Sequence, residues 1–165
     1  MIKKTLIFFA FVLLLASCKE NDTALDPNNQ FHSSELLTGR LINTERAKLG
    51  LAELVYDENI AAIARSHSDA MASGAVPFSH DGFDGRVAQI QKLYTTITVG
   101  ENVAYNSGAA SPEQQAVGDW MESPGHRANI VGDYNRTGIG IAKSASGRYY
   151  FTQLFAKVKT TSIFF

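Results

Sequence analysis

Helical patterns fill the first two-thirds of this chain and β-prone runs fill the last third, and this order limits the fold more than any other feature. The β-prone runs at 137–142 and 149–155 are joined by the loop 143–148, whose Gly147 is typical of a hairpin turn. A run at 99–104 supplies a further strand. Helices followed by a small antiparallel sheet predict an α+β fold in which helices cover the faces of the sheet.

The first two predicted helices carry their own start and stop signals. Ser33 or Ser34 caps a helix that ends before Gly50, and Asp57 caps a second helix that ends by Gly74. A histidine on an apolar helical stripe is typical of a hydrogen-bonded core residue rather than of a ligand. The predicted stripes are Leu37, Leu41, Ile42 and Leu49 in the first helix, and Ile60, Ile63, Ala64, His67 and Met71 in the second.

Two further helices are predicted before the hairpin. The third lies near 84–93. The fourth begins at a capping box formed by Ser111 and Gln114, with Pro112 as its first residue, and Pro124 closes it. The predicted core positions are Val87, Ile90 and Leu93 in the third helix, and Val117, Trp120 and Met121 in the fourth.

The N-terminus has the pattern of an export signal. Lys3 and Lys4 precede an apolar run at 6–16, which is short for a permanent membrane span. Small residues before Cys18 resemble a bacterial lipobox, in which the acylated thiol becomes the first mature residue and tethers the protein to a membrane. An ordinary signal peptide with an incidental cysteine is the alternative. The predicted organisation is a signal peptide at 1–17, a flexible tether at 18–33 and a folded domain at 34–160.

Cysteine content and charge exclude several classes of protein. Cys18 is the only cysteine, so an exported form would depend on packing and not on a disulfide. Cleavage before Cys18 takes the basic residues from 15 to 13 against 16 acidic ones, a net charge of −3. No basic stripe is present, so neither nucleic acid nor an anionic lipid surface is an expected partner. A monomer is the default expectation.

Histidines and carboxylates recur in three short segments, and these residue types bind divalent metals or move protons near neutral pH. Each segment alone is typical of a surface turn. Together they form a more specific pattern. The segments are Phe78-Ser79-His80-Asp81, Gly100-Glu101-Asn102-Val103-Ala104 and Trp120-Met121-Glu122-Ser123-Pro124-Gly125-His126-Arg127.

These segments resemble, in the same order, those of the CAP superfamily, which unites cysteine-rich secretory proteins, antigen 5 and pathogenesis-related proteins and is also called SCP-like. The resemblance covers roughly residues 36–158. It is to the short bacterial lipoprotein form, which lacks the disulfides and C-terminal extensions of eukaryotic members. The other matching residues are Asn43-Thr44-Glu45-Arg46, His67, Ala128-Asn129-Ile130, Gly138-Ile139-Gly140-Ile141 and the run 150–155.

The resemblance implies a three-layer α-β-α sandwich with a cleft into which His80, Glu101 and His126 project. The family has a second acid at the position of Ser123, whereas this chain has Glu122 one residue earlier, about 100° away around a helix. Either the helix end unwinds so that Glu122 reaches the cleft, or the site has a single carboxylate. We favour the single carboxylate.

Some members of the family hold a divalent cation between the two histidines, so zinc or another divalent metal is the cofactor that the resemblance implies. His80, His126 and Glu101 would make a three-ligand set with one open position. Alternatively, Glu101 orients one histidine by a hydrogen bond and leaves the metal two protein ligands. A metal held in that way would exchange readily and would be lost when the imidazoles are protonated.

Two functions remain open, and both place the chain in the bacterial cell envelope, facing the periplasm or the exterior. One is a lipid-anchored module that binds a small molecule, a lipid or an envelope polymer. The other is a metal-dependent hydrolase or protease that uses water activated between His80 and Glu101. Neither Ser79 nor Ser123 lies in a nucleophile elbow. A hydrogen-bonded cluster with a purely structural role is the alternative to both.

Overall fold

The structure, a computed structural model, describes residues 30–159, so the predicted signal peptide, Cys18 and most of the predicted tether lie outside the described residues. Within residues 30–159, no helix combines the length and the apolar character needed to cross a bilayer. The elements in chain order are α1 His32–Lys48, β1 Val55–Tyr56, α2 Glu58–Ser73, α3 Phe83–Leu93, β2 Thr96–Asn106, α4 Pro112–Glu122, α5 Pro124–Ile130, β3 Arg136–Lys143 and β4 Tyr149–Val158.

The four strands form one sheet in the order β1-β3-β4-β2. The predicted hairpin joins β3 to β4, and Gly147 in its loop has a φ of 86°, which residues with a side chain rarely adopt. β2 pairs antiparallel with β4. The two-residue strand β1, which no sequence signal predicted, pairs parallel with β3. The sheet is therefore mixed but mainly antiparallel, and β2 forms one of its edges.

Helices cover both faces of this sheet. Successive residues of a strand point to opposite faces. On β4, Phe151 and Phe155 pack in a core with residues of α1, α4 and α5. Leu154 and Ala156 pack in a second core with residues of α2 and α3. The predicted α+β fold with three layers is confirmed.

Two glycines of β3 allow α2 to approach the sheet closely. A Cβ on Gly138 would lie 2.2 Å from the backbone nitrogen of Ala61, and a Cβ on Gly140 would lie 2.1 Å from that of Arg65. Both distances are shorter than a side chain tolerates. The helix therefore packs with its backbone against β3, and a larger residue at either position would push the two elements apart.

Signals within α2 predicted that helix correctly. The Asp57 carboxylate accepts hydrogen bonds from the backbone N–H groups of Asn59 and Ile60 at 3.1 and 3.2 Å. Gly74 ends the helix in the left-handed conformation. All five residues of the predicted stripe are buried, namely Ile60, Ile63, Ala64, His67 and Met71.

The prediction for α1 was wrong in its start and in part of its buried face, although Ile42 is buried and Leu41 packs against the core as predicted. The helix begins at His32 with Phe31 as its N-cap, so neither Ser33 nor Ser34 caps it. Leu49 lies beyond the helix and is 46% exposed. His32 falls inside the predicted tether, yet it is buried. The buried residues of α1 are mostly polar or small: His32, Glu35, Thr38, Gly39, Ile42 and Arg46.

A buried ion pair accounts for much of this polar face. Glu35 is fully buried, and Nε of Arg65 lies 2.9 and 3.0 Å from its two carboxylate oxygens. The same carboxylate accepts a hydrogen bond from the backbone N–H of Ile141 at 3.1 Å. Ile141 lies on the edge of β3, beyond the residues that the short strand β1 reaches. The Glu35 carboxylate thus accepts a hydrogen bond from a backbone N–H of β3 that the short strand β1 does not reach.

The segment between β2 and β3 forms two helices instead of the single predicted one. Ser111 is the N-cap of α4 and Pro112 its first residue, as predicted. The capping box is absent, because the Ser111 hydroxyl donates to Glu113 at 3.4 Å and caps no backbone N–H. α4 ends at Glu122, just before Pro124 as predicted, but Pro124 also begins α5. Proline fits the first position of a helix as well as it breaks the interior.

Candidate functional site

The edge strand β2 sets the position of the predicted site. Glu101 and Asn102 are consecutive on β2, so their side chains point to opposite faces of the sheet. Glu101 pairs with Leu154, which belongs to the core formed with α2 and α3. Both polar residues are buried, at 6% and 0% exposure. At this edge, Glu101 therefore points into the layer formed by α2 and α3, and Asn102 points into the opposite helical layer.

The Glu101 carboxylate is held by Arg86, a residue that was not predicted to belong to the site. Arg86 Nε lies 2.6 Å from Oε2 of Glu101, and Nη2 lies 2.8 Å from Oε1. The two side chains are 8% and 2% exposed. This buried, two-pronged ion pair fixes the orientation of the carboxylate.

One local signal could have pointed to Arg86. The residue precedes Ile90 by four positions on α3, and these two are the buried residues of that helix. Leu93, predicted to belong to the stripe, is instead 49% exposed. A basic side chain at a core-facing position needs a buried acidic partner.

Glu101 also orients His80. His80 Nδ1 lies 2.8 Å from Oε1 of Glu101. Because an ionised carboxylate can only accept, Nδ1 carries the proton, and Nε2 of the neutral ring keeps its lone pair. The imidazole is 53% exposed, so ligands in solution can reach it.

The loop that carries His80 is anchored from two helices. Arg86 donates from Nη1 to the carbonyl of Asp81 at 2.9 Å and from Nη2 to that of His80 at 3.2 Å. From α2, Nε2 of His67 bonds the carbonyl of Ser79 at 3.0 Å. His67 is therefore a satisfied core histidine, as predicted. Arg86 holds both the carboxylate and the segment that bears the imidazole.

Two asparagines tie α5 to the same point of β2. Asn102 donates from Nδ2 to the carbonyl of His126 at 3.1 Å. Asn129 donates from Nδ2 to the carbonyl of Glu101 and to Oδ1 of Asn102, both at 2.9 Å. Asn102 therefore satisfies polar groups of the protein itself. These bonds hold the helix that carries His126 against the residue next to Glu101.

Arg46 secures the C-terminal end of α5. It is 3% exposed. Its Nη1 donates to the carbonyls of Ile130 and Gly132 at 2.7 and 3.0 Å, and its Nε donates to the carbonyl of Ala52 at 2.9 Å. Arg46 therefore bonds carbonyl groups at the junction of α1 and α5 and acts in packing.

His126 and His80 interact electrostatically although they come from opposite helical layers. Burial lowers the pKa of His126, and the nearby His80 lowers it further. Burial is also the main cause that lowers the pKa of His67. The rings of His126 and His67 are therefore neutral at pH 7. Neutral imidazole is the form that coordinates a metal or accepts a proton.

Glu122 and Ser123 lie outside this group. Glu122, the last residue of α4, is exposed and lines two surface grooves along that helix. Neither groove includes His80 or His126. Ser123 is half-buried and links α4 to α5 as the C-cap of one and the N-cap of the other. This placement agrees with a site that has one carboxylate.

The oxygens of the Glu101 carboxylate are already engaged by hydrogen bonds. Both oxygens of Glu101 accept hydrogen bonds from Arg86, and one of them also accepts from His80. Within residues 30–159, no group of three or more His, Cys, Asp or Glu side chains is arranged to hold one metal. Of the two roles left open for Glu101, the geometry fits the hydrogen-bonding one.

Sequence comparison identifies a family and a bacterial relative. Residues 40–155 match the family model described as CAP: Cysteine-rich secretory protein family. The chain is 32% identical over 145 residues to the uncharacterized protein YkwD of Bacillus subtilis, an alignment that covers 86% of this chain and 54% of YkwD. The chain thus spans about half the length of that relative.

Solved structures share the fold. An outer surface protein from Borrelia burgdorferi has a TM-score of 0.65 at 21% identity, covering 78% of this chain and 96% of that protein. An extracellular protein from Bacillus anthracis that contains a SCP domain has a TM-score of 0.64 at 26% identity, covering 76% of this chain and 40% of that one. The first likeness concerns the fold alone.

Proposed function

This chain belongs to the CAP family of cysteine-rich secretory proteins, and on that basis we propose that it is an extracytoplasmic binding module anchored to the bacterial cell envelope through Cys18. The B. anthracis protein is described as extracellular, and the export pattern at 1–17 agrees with such a location. The proposed ligand site is the cleft beside His80 and His126. The observation that carries the proposal is the exposed imidazole of His80, oriented by the buried Glu101.

A divalent cation such as zinc is the proposed accessory ligand of this cleft. His80 would contribute Nε2, because Nδ1 is committed to Glu101, and His126 would contribute a neutral ring nitrogen. A bound cation supplies a Lewis-acidic position for an oxygen or nitrogen of the ligand. Two protein ligands bind weakly, so the cation would exchange with solution and would be displaced as the imidazoles take up protons.

Calorimetric titration of zinc into the mature chain tests this proposal. We expect wild type to bind, and His80→Ala and His126→Ala each to remove the binding heat. Glu101→Gln should weaken zinc by about 10–100-fold, because the hydrogen bond that orients His80 loses its charge. The matched control is His32→Gln, which changes a histidine at the opposite edge of the sheet near Glu58. Equal binding by wild type and His80→Ala would contradict the proposal.

Hydrolysis is a second candidate, and one observation favours it. The hydrogen bond from His80 to Glu101 is the arrangement of a general base and its orienting carboxylate. Water would have to be the nucleophile, because neither Ser79 nor Ser123 lies in a nucleophile elbow. Under this alternative, His126→Ala would abolish turnover of a peptide or envelope polymer. Under the binding proposal, wild type shows no turnover.

A further inference from the structure

Three aromatic side chains meet on the surface near His80. Phe78 and Tyr105 meet edge to face, with ring centroids 4.8 Å apart and planes at 89°. Tyr150 lies 6.1 Å from Tyr105 and 6.5 Å from Phe78, centroid to centroid. Phe78 and Tyr105 are 42% and 46% exposed. We call these three residues the aromatic cluster.

The cluster continues the site along the edge of the sheet. Tyr105 and Tyr150 are register partners on β2 and β4. Tyr105 follows Glu101 by four residues and so lies on the same face, about 13 Å farther along the strand. Phe78 precedes His80 by two residues in the loop that Arg86 anchors. An extended ligand in the cleft would therefore reach the cluster.

A cation borders the cluster. The guanidinium of Arg148 lies 4.6 Å from the ring centroid of Tyr105. Arg148 is exposed, and no ion pair engages it among the residues that the structure describes. The position thus combines an aromatic surface with an available donor for an anion.

The chemistry of the cluster selects among ligands. The face of an aromatic ring is electron-rich and attracts the partly positive C–H groups of a sugar ring, while tyrosine hydroxyls exchange hydrogen bonds with sugar hydroxyls. A lipid tail needs a concave site that buries most of its surface, whereas Phe78 and Tyr105 are open to solvent. The guanidinium adds a preference for a carboxylate. Acidic saccharides offer all three features.

We propose that the aromatic cluster and Arg148 bind a saccharide chain that carries carboxylates, at a site adjoining the His80 cleft. The proposal deepens the proposed function and rests on it, because the envelope location is what would present such polymers to the chain. The aromatic cluster would pack against a sugar ring, and Arg148, which lies over the ring of Tyr105, would pair with a carboxylate on that sugar or the next one.

The test uses the mature chain with two probes, a tetrasaccharide of galacturonate and the corresponding tetrasaccharide of galactose. Binding is followed by calorimetry and by NMR of the aromatic side chains. We expect the acidic probe to shift the signals of Phe78, Tyr105 and Tyr150. Tyr105→Ala should weaken the acidic probe about tenfold or more. Arg148→Gln should weaken the acidic probe and leave the neutral one unchanged.

Matched controls separate the cluster from the rest of the surface. Ile97→Ala removes an apolar side chain that is 62% exposed on the same strand, and Arg40→Gln removes an exposed arginine of α1; neither should alter binding. The proposal is overturned if the acidic probe does not bind, if Tyr105→Ala binds it as wild type does, or if both probes bind equally. It also fails if a proline-rich peptide shifts the same signals more strongly.

The saccharide and zinc results are independent readouts. His80→Ala should remove zinc binding and change the affinity for the acidic saccharide by less than about twofold. Failure of wild type to bind zinc, with its saccharide binding intact, would sink the cleft proposal alone. Zinc binding without saccharide binding would sink the cluster proposal alone.

Discussion

A buried glutamate forms an ion pair with an arginine at each of two opposite edges of the sheet. At the β3 edge, Glu35 pairs with Arg65, and at the β2 edge, Glu101 pairs with Arg86. The glutamate side chains are 0% and 2% exposed. The edges differ in an additional partner of the carboxylate, which is a backbone N–H of β3 for Glu35 and the imidazole of His80 for Glu101.

This difference separates a structural edge from a candidate site. A buried carboxylate must be compensated by charge and hydrogen bonds wherever it occurs. At the β3 edge, one of the compensating groups is a backbone amide, which has no further chemistry. At the β2 edge, the corresponding partner of the carboxylate is the half-exposed imidazole of His80, whose other ring nitrogen remains available as a base. The ion pair stabilises the fold at both edges, and only at the β2 edge does it also position a histidine, His80, that can bind a ligand.

Removal of either arginine should produce the largest effect. Arg86→Met removes the guanidinium that pairs with the buried Glu101, and Arg65→Met removes the one that pairs with Glu35, so each should cost about 3–5 kcal/mol of unfolding free energy. Arg86→Met should cost more, because Arg86 is 8% exposed and Arg65 is 20% exposed. Urea denaturation measures both. A loss below about 1 kcal/mol for Arg86→Met would contradict a buried pair.

Replacement of both partners should distinguish the two edges. Glu101→Leu with Arg86→Met should regain most of the lost stability, since apolar pairs often replace buried ion pairs at little cost. Glu35→Leu with Arg65→Met should remain about 1–3 kcal/mol short, because the N–H of Ile141 is left unpaired. Urea denaturation of the two double variants gives the comparison. Equal recovery at both edges would show that the additional partners are equivalent.

Loss of Asn129 should weaken the β2 edge alone. Asn129→Ala removes the donor to the carbonyl of Glu101 and to Asn102, which should cost about 1–3 kcal/mol. Amide exchange should speed up in α5 and stay unchanged in α2. The control Asn59→Ala removes an exposed bond to Tyr94 and should change stability by less than about 0.5 kcal/mol. Uniform acceleration of exchange in both helices would argue against a local link.

Acidification should have the smallest effect. Burial lowers the pKa of His67 and His126 in the folded state, so the unfolded chain binds more protons below its own pKa of about 6.5. Stability is therefore complete above that value and falls as pH decreases toward the lowered pKa values. Urea denaturation at about pH 7.5 and about pH 6 should show this loss, and His67→Gln should reduce it. A gain in stability on acidification would contradict the burial of these rings.

Sequence signals predicted the elements whose determinants are local. α2 follows from a capping Asp57, an apolar stripe and a terminal Gly74, all within the helix or beside it. α1 was mispredicted because its buried Glu35 is compensated by Arg65, thirty positions away in the chain. An apolar pattern cannot indicate a polar face that a distant helix neutralises. α5 was missed because proline ends one helix and begins the next with equal ease.

The site was predictable in part. His80, Glu101 and His126 were selected by family resemblance, and the structure links the first two by a hydrogen bond. Arg86 was not selected, because its partner lies on a strand fifteen residues later and no local pattern records that contact. The role of Glu101 could not be chosen from sequence, since it depends on which groups already occupy its oxygens.

The proposed site requires His80 and His126 to lie close together. NMR titration of their ring signals tests this requirement most directly. In wild type, His126 should titrate below its ordinary pKa of about 6.5, and in His80→Gln the pKa of His126 should rise, because the neighbouring His80 that lowers it has been removed. A pKa for His126 that is the same in both proteins would place the rings apart and contradict the account.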